Sequence, residues 1–149
     1  MKEFKNVELK GSEKQVEWAA NIRENLKSVY GRLEDLKFTD GKITVHNSTR
    51  DVLTGAVTEY DKPLDIAEAQ RMIEKAMRVY MMADQGFGKA FRDAAASAGV
   101  TASSDKTEIL KNIVSVMMNR IGTTVETETS AKTYIDSYRG INVKSMGLY

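Results

Sequence analysis

The sequence predicts a predominantly helical α+β domain, in which a bundle of four to five helices carries a small β-hairpin or short antiparallel sheet after the first helix. Three observations support this fold class. Apolar residues recur at helical spacing in several long segments, and one segment alternates around an Asp-Gly pair. The length of 149 residues suits one core, and no repeat or long linker divides the chain. We therefore expect residues 1–149 to form a single domain.

The first predicted helix carries the clearest signals. Ser12 is a favourable N-cap, and Gln15 completes a capping box worth about 1 kcal/mol. An apolar seam follows at helical spacing, formed by Ala19, Ile22, Leu26, Val29, Leu33 and Leu36. Trp18 and Tyr30 widen this seam. Gly31 is its weak point, and we expect a bend or break there.

The segment after this helix predicts strands. Residues 38–45 alternate apolar and polar side chains around Asp40-Gly41, which is a favoured hairpin turn. A second β-like run covers residues 52–58. We expect His46 in a turn between the two runs. A new helix is expected to start at Asp61-Lys62-Pro63, because proline is tolerated in a first helical turn.

The second long helix is predicted by a wide apolar stripe. Its members are Ile66, Ala69, Met72, Ile73, Ala76, Met77, Tyr80 and Ala83. A break at residues 85–88 precedes a further helix over residues 89–98.

The remaining helices are predicted mainly from their caps. One helix starts at Asp105, with Glu108 completing a capping box, and ends at Gly122. Residues 123–129 are expected to be a loop or an edge strand. A short last helix begins at Ser130 or Thr129 and ends before a tail, residues 141–149, that shows no clear structural pattern.

Composition excludes several classes of function. The chain has 22 basic and 21 acidic residues, so its net charge of +1 gives no electrostatic argument for nucleic acid. It has no cysteine, which excludes disulfides, thiolate metal sites and thiol catalysis. No run of ~20 apolar residues is present, and the first residues lead us to expect no signal peptide. We therefore expect a cytoplasmic protein of a bacterial host cell, without a membrane partner.

Candidate catalytic groups are few. His46 is the only histidine and has no serine motif beside it, so a structural or solvated role is the preferred interpretation. Gly86-Phe87-Gly88-Lys89 fails as a phosphate loop, because Ala83 and Ala90 replace the required glycine and hydroxyl residue. Three acidic residues lie near a predicted helix start: Asp61, Asp65 and Glu68. The helix dipole explains them better than a divalent cation. We expect no catalytic residue, no metal and no cofactor.

A basic line on the second long helix is the best candidate binding surface. Its members, with two residues that extend it, are Arg71, Lys75, Arg78, Lys89 and Arg92. Such a line suits a phosphate backbone. Acidic residues at helical spacing would pair with part of it, so a solvated face is favoured over a binding face.

Two motifs near the ends of the chain resemble an uncharacterised family of small phage and mobile-element proteins. The first reads Gly11-Ser12-Glu13-Lys14-Gln15, Trp18-Ala19 and Ile22-Arg23, and the second reads Ala131-Lys132, Tyr134, Ile135-Asp136 and Arg139. The second motif departs from the family pattern, since Thr133 replaces an aromatic residue and Tyr134 stands where tryptophan is usual. The resemblance implies a genetic setting more than an activity.

Both motifs are expected to be structural. We expect the last helix to pack on the first, with Trp18 against Tyr134 or Ile135. Trp18 and Ile22 are each expected to bury apolar surface that contributes about 2–3 kcal/mol to the free energy of folding. Asp136 is expected to pair with Lys14 or Arg23.

These features favour a non-enzymatic protein that acts by binding a host protein or nucleoprotein complex. Inhibition or modulation of a nucleic-acid-processing or defence complex, as by an anti-CRISPR protein, is the expected outcome. The alternatives are an accessory DNA- or RNA-binding module, which would contact nucleic acid directly, and an enzyme with an unrecognised site. The seam of the first helix also allows a homodimer.

Overall fold

A three-stranded sheet follows the first helix. The computed structural model describes residues 2–101 and 103–148. Helix α1 (Glu13–Glu34) leads into strands β1 (Leu36–Thr39), β2 (Lys42–Arg50) and β3 (Val57–Leu64). These strands form one antiparallel sheet in the order β1-β2-β3.

Four further helices complete the described chain. They are α2 (Ile66–Ala83), α3 (Phe87–Ser97), α4 (Lys106–Thr127) and α5 (Ala131–Thr133), and α5 continues into a π-helical turn (Tyr134–Tyr138). The predicted fold class, mainly helical α+β with a small antiparallel sheet after the first helix, is confirmed. No helix of the described residues combines the length and apolarity needed to cross a bilayer.

Helix α1 begins as predicted. The Ser12 hydroxyl accepts the Gln15 N–H at 3.2 Å, and the Gln15 side chain accepts the Ser12 N–H at 3.0 Å. The seam is buried, but its last member, Leu36, lies in β1. The break predicted at Gly31 is wrong, because this buried glycine is held in the helix by tertiary packing that outweighs its propensity cost of about 1 kcal/mol.

Helix α4 lies at the centre of the helical core. It packs against α1, α2 and α3, while α5 and its π-helical turn pack against α1. The core includes Leu26 of α1, Ile73 of α2, Phe87 of α3 and Ile121 of α4, all fully buried. The chain's own helices cover the α1 seam, so this seam is not free for the homodimer that the sequence allowed.

Helix α4 is longer than predicted. Asp105 caps it by accepting the Thr107 N–H at 2.7 Å, and it runs to Thr127. The predicted helix end at Gly122 is therefore wrong. Residues 123–127, predicted as a loop or an edge strand, are helical. A β-carbon at Gly122 would lie 3.5 Å from the Tyr30 ring and 3.8 Å from the Phe4 ring. This glycine admits close packing against α4 and does not end the helix.

The second half of the sheet also departs from the prediction. The Asp40–Gly41 turn is confirmed, with φ of 51° and 75°. The second β-like run, however, is predicted at residues 52–58, whereas strand β3 covers Val57–Leu64. His46, expected in a turn, lies within β2. Pro63 lies in β3 opposite Thr44, where an edge strand tolerates its missing N–H. Helix α2 therefore starts later, with Asp65 accepting the Glu68 N–H at 2.8 Å.

The two terminal motifs meet in space. The Lys10 N–H donates to the Thr129 carbonyl at 2.7 Å, and the Ala131 N–H donates to the Lys10 carbonyl at 3.0 Å. Gly11 has φ of +152°, and a β-carbon there would lie 3.1 Å from that of Ala131. Only glycine satisfies both constraints. The predicted packing of the last helix on the first is confirmed.

The predicted contacts of the motif side chains are partly wrong. Trp18 is 49% exposed and lies outside the core, because its helical position is about 60° from the centre of the seam. Asp136 pairs with Lys132 at 3.4 Å and not with Lys14 or Arg23. Tyr134 and Ile135 are buried as expected, and Ile22 is fully buried. Arg23 instead donates to the Val7 carbonyl at 2.8 Å, which fastens the N-terminal segment to α1.

The tail is part of the core. Ile141, Met146 and Leu148 are buried, and the Leu148 N–H donates to the Val143 carbonyl at 3.1 Å. The tail, for which the sequence shows no clear pattern, is therefore ordered up to Leu148, and Tyr149 lies outside the described residues.

Candidate functional site

Residues 47–60 form a two-stranded ribbon that extends from the body of the protein. The pairing of β2 with β1 ends at Val45, whereas its pairing with β3 continues to Arg50 opposite Val57. Every residue from 48 to 63 is exposed. A two-stranded ribbon without a buried face is only marginally stable by itself. Its shape must therefore depend on contacts at its tip and at its base.

The tip of the ribbon is an ordered loop, residues 51–56. The Asp51 carboxylate accepts the N–H groups of Leu53 at 2.8 Å and Thr54 at 3.2 Å. Backbone hydrogen bonds from Asp51 N–H to Ala56 and from Gly55 N–H to Asp51 close the loop. This loop presents Val52 and Leu53 at 94% and 92% exposure. Two adjacent apolar side chains are thus held in solvent by a loop that its own hydrogen bonds close.

Arg32 of α1 anchors the base of the ribbon. Its guanidinium donates to the His46 carbonyl at 2.9 Å, to the Asn47 side chain at 3.0 Å and to the Leu148 carbonyl. It also lies 3.4 Å from the Asp35 carboxylate. One side chain therefore joins α1, β2 and the tail where the ribbon leaves the body.

His46 belongs to an ion-pair cluster on the outer face of the sheet. Its Nδ1 lies 3.1 Å from an Asp61 carboxylate oxygen, and its Nε2 lies 3.8 Å from Glu59. Lys37 lies 3.3 Å from the other Asp61 oxygen. The hydrogen bond with Asp61 raises the pKa of His46 above its ordinary value, and the same bond lowers the pKa of Asp61. The cluster holds β2 to β3 across the ladder.

This cluster makes the ribbon sensitive to pH. Because the folded pKa of His46 is raised, its stabilising effect is complete below the ordinary value of 6.5 and is lost as the pH rises through the raised pKa. The effect of Asp61, whose pKa is lowered, stays constant over that interval. We expect the strand population of the ribbon, measured by NMR backbone chemical shifts, to fall as the pH rises above the ordinary histidine pKa of 6.5 and through the raised pKa of His46. A His46→Gln variant with the same pH dependence would contradict this prediction.

An open groove of about 720 Å³ lies beside the base of the ribbon. Its lining includes Arg32, Asp35, His46, Asn47 and Met72. Within the part of the chain that the structure describes, the polar partners of the His46 side chain are both carboxylates. The arrangement is that of a cross-strand ion pair, without the hydroxyl partner that a nucleophilic triad requires.

The basic residues chosen from the sequence are exposed on two helices that touch. Arg71, Lys75 and Arg78 lie on α2, and Lys89 and Arg92 lie on α3. Part of this charge is neutralised locally.

Two ion pairs account for the neutralised part. Arg78 lies 3.9 Å from Glu74, and Lys89 lies 2.8 Å from Asp93. Of the ion pairs among residues 2–101 and 103–148, none includes Arg71, Lys75 or Arg92.

The other sequence candidates are dispersed. Asp61 lies in β3, whereas Asp65 and Glu68 stand at the start of α2, where Asp65 is the N-cap. The predicted break before α3 is confirmed, but α3 begins at Phe87, so Gly88 and Lys89 belong to its first turn. Neither the anchoring role of Arg32 nor the exposed tip is predicted by the sequence pattern. The available signal was an apolar pair, Val52-Leu53, within a stretch of turn-forming residues.

No protein-family model, no curated protein and no solved structure matches this chain.

Proposed function

We propose that this protein acts by binding another macromolecule through the tip of its ribbon. The target in this proposal is a host protein or nucleoprotein complex that processes nucleic acid or defends the cell. The observation that carries the proposal is the exposure of Val52 and Leu53 above 90% on a loop that its own hydrogen bonds hold in place. Apolar side chains in such a position contribute nothing to the core.

Two physical arguments support binding at the tip. Apolar side chains that enter a pocket of a partner are removed from water, which favours association at about 25 cal/mol per Å². The loop is already ordered, so little conformational entropy is lost on binding. Because the tip stands at the end of a ribbon, it can enter a concave surface that the rounded helical body cannot reach.

The choice of target has separate support. The residues Gly11 to Gln15, with Trp18 and Ile22, resemble a family from phages and mobile elements. A small binding protein without a catalytic set suits inhibition or modulation of a host complex, in a bacterial cytoplasm.

A charge at the tip tests the proposal. The parent and the Leu53→Asp variant would be expressed in bacteria with an active CRISPR nuclease, and the plating efficiency of a targeted phage would be measured. The bound host complex would be isolated, and its Kd for each variant determined. We expect the parent to raise plating efficiency, and Leu53→Asp to weaken binding by about 30-fold, as for a hot-spot residue.

Met82→Asp is the matched control, because Met82 is 86% exposed but lies at the end of α2. We expect it to leave the Kd within about twofold of the parent, and both variants to unfold as the parent does. A Kd that is insensitive to Leu53→Asp would overturn binding through the tip. Unchanged plating efficiency with the parent would overturn the proposed defence target.

A second candidate function is supported by Arg71, Lys75 and Arg92, which take part in none of the ion pairs among the described residues. These side chains suit an accessory nucleic-acid contact. Binding to duplex DNA that weakens steeply with salt, and that is lost in Arg71→Gln/Lys75→Gln, would favour this candidate.

A further inference from the structure

The outer edge of β3 carries backbone groups that the sheet leaves unpaired. In an antiparallel ladder, alternate residues direct their N–H and C=O groups toward the neighbouring strand and away from it. The His46 N–H donates to the Asp35 carbonyl beside β1, so even-numbered residues of β2 face β1. The Asp51 N–H donates to the Ala56 carbonyl, so odd-numbered residues of β2 face β3. By the pairing register, Val57, Glu59 and Asp61 direct their backbone groups outward. Among described residues, no backbone hydrogen bond outside the ladder reaches these groups.

A second copy of the chain is a poor occupant of this edge. An antiparallel pair of β3 strands that engages all three residues places Glu59 opposite its own copy. The adjacent register places Glu59 opposite Asp61 and also requires an N–H at Pro63, which proline lacks. Like charges directly opposite each other destabilise a sheet. The self-pairing that engages all three outward residues is therefore disfavoured by charge, while the edge stays open to a strand of another protein.

We propose that the outer edge of β3 accepts an extended segment of the partner protein, in which basic and apolar residues alternate. This inference rests on the proposed function and specifies the kind of partner. The residues that direct their backbone outward share one sheet face, where Glu59 presents a carboxylate on a 69% exposed side chain. Both Asp61 oxygens are already paired, with His46 and Lys37. Basic side chains on the incoming strand would lie directly opposite Glu59.

The other face of β3 explains the apolar positions of the incoming strand. Thr58 and Tyr60 alternate with the outward residues, and Tyr60 is a large exposed hydrophobic residue. Every second residue of an added strand would lie beside them. Apolar side chains there would cover the Tyr60 ring, while the backbone hydrogen bonds would supply sequence-independent affinity.

Strand addition is tested with capped octapeptides of alternating lysine and valine. The probe is titrated to saturation, and solvent-exchange rates of backbone amides are measured by NMR. We expect the amides of Val57, Glu59 and Asp61 to slow by about tenfold, and the lysine–valine peptide to outcompete a glutamate–valine control. Unchanged rates at about 5 mM peptide, or equal effects of both peptides, would overturn the inference.

Two variants at one position separate the backbone from the charge. Glu59→Pro removes an outward N–H without removing a β2–β3 hydrogen bond, as Pro63 does naturally, and is expected to abolish the slowing at Asp61. Glu59→Gln keeps the N–H and is expected to reduce only the preference for lysine. Thr58 and Tyr60 amides that exchange as in the parent show that the ribbon is intact. Slowing that persists in Glu59→Pro would contradict strand addition.

The edge and the tip are tested independently. Leu53→Asp lies outside the paired edge and is expected to leave the peptide effect unchanged. If Leu53→Asp weakens binding of the host complex but the peptides do not pair with β3, the proposed function stands and the edge inference fails. If the peptides pair with β3 but Leu53→Asp leaves the Kd unchanged, the tip proposal fails alone.

Discussion

Replacing Arg120 with methionine is expected to lower the free energy of unfolding by about 3 kcal/mol, the largest single effect that we predict. Arg120 of α4 donates from Nε and Nη2 to the two carboxylate oxygens of Asp84, both at 2.6 Å. Asp84 is only 7% exposed. Without the guanidinium, a buried carboxylate would lose its two charge-assisted hydrogen bonds. Such a group is costly because water cannot replace the missing donors.

Loss of this ion pair should also affect helices α2 and α3, because of where Asp84 lies. Asp84 is the C-cap of α2, and its carboxylate also accepts the Gly86 N–H at 3.1 Å in the turn that leads to α3. A β-carbon at Gly86 would lie 3.0 Å from the Arg120 guanidinium. The pair therefore fastens the α2–α3 connection to α4, and its disruption should loosen both helices.

Urea unfolding measures this effect, and Arg78→Met is the matched control. Arg78 has a 77% exposed side chain and one weak ion pair, so its replacement should change stability by less than about 0.5 kcal/mol. The double variant Asp84→Asn/Arg120→Met should recover part of the loss, because it removes the buried charge. Equal destabilisation by Arg120→Met and Arg78→Met would show that the Asp84 pair contributes little.

Replacing Arg32 with methionine is expected to cost about 2–3 kcal/mol and to release the base of the ribbon. The substitution removes donors from two backbone carbonyls, those of His46 and Leu148, and from the Asn47 side chain. Methionine keeps most of the apolar contact of the side chain, so the loss reports on the hydrogen bonds.

Two measurements check the role of Arg32. Urea unfolding gives the stability change, and NMR chemical shifts of residues 47–60 report the order of the ribbon. Arg32→Lys is the informative comparison, since one ammonium group cannot donate along the same directions as the planar guanidinium. We expect it to restore little of the stability. Full stability together with unchanged ribbon shifts in Arg32→Met would refute the anchoring role.

Local signals were sufficient for much of the helical fold. The capping box of Ser12 and Gln15, the seam of α1 and the Asp40–Gly41 turn all depend on residues close together in sequence. Helix and turn hydrogen bonds join near neighbours, so side-chain periodicity and caps carry the information.

The errors have nonlocal causes. Strand β3 has no apolar alternation because both of its faces are exposed, and its identity comes from pairing with β2. Pro63 favoured a helix start in the sequence, although an edge strand accommodates it equally well. Gly122 remains helical because α4 packs against α1, α2 and α3 on both sides of it, which outweighs the low helix propensity of glycine.

The sequence by itself determined the mainly helical α+β fold class, with short antiparallel strands after the first helix. It also excluded chemistry that requires cysteine. Only the tertiary structure decided that the tail enters the core, that Trp18 stays half exposed and that Val52 and Leu53 stand at the end of a ribbon. The physical reason is that burial depends on what covers a side chain. Segments far away in sequence bury the side chains of the tail, whereas no distant segment of the described chain buries Trp18, Val52 or Leu53.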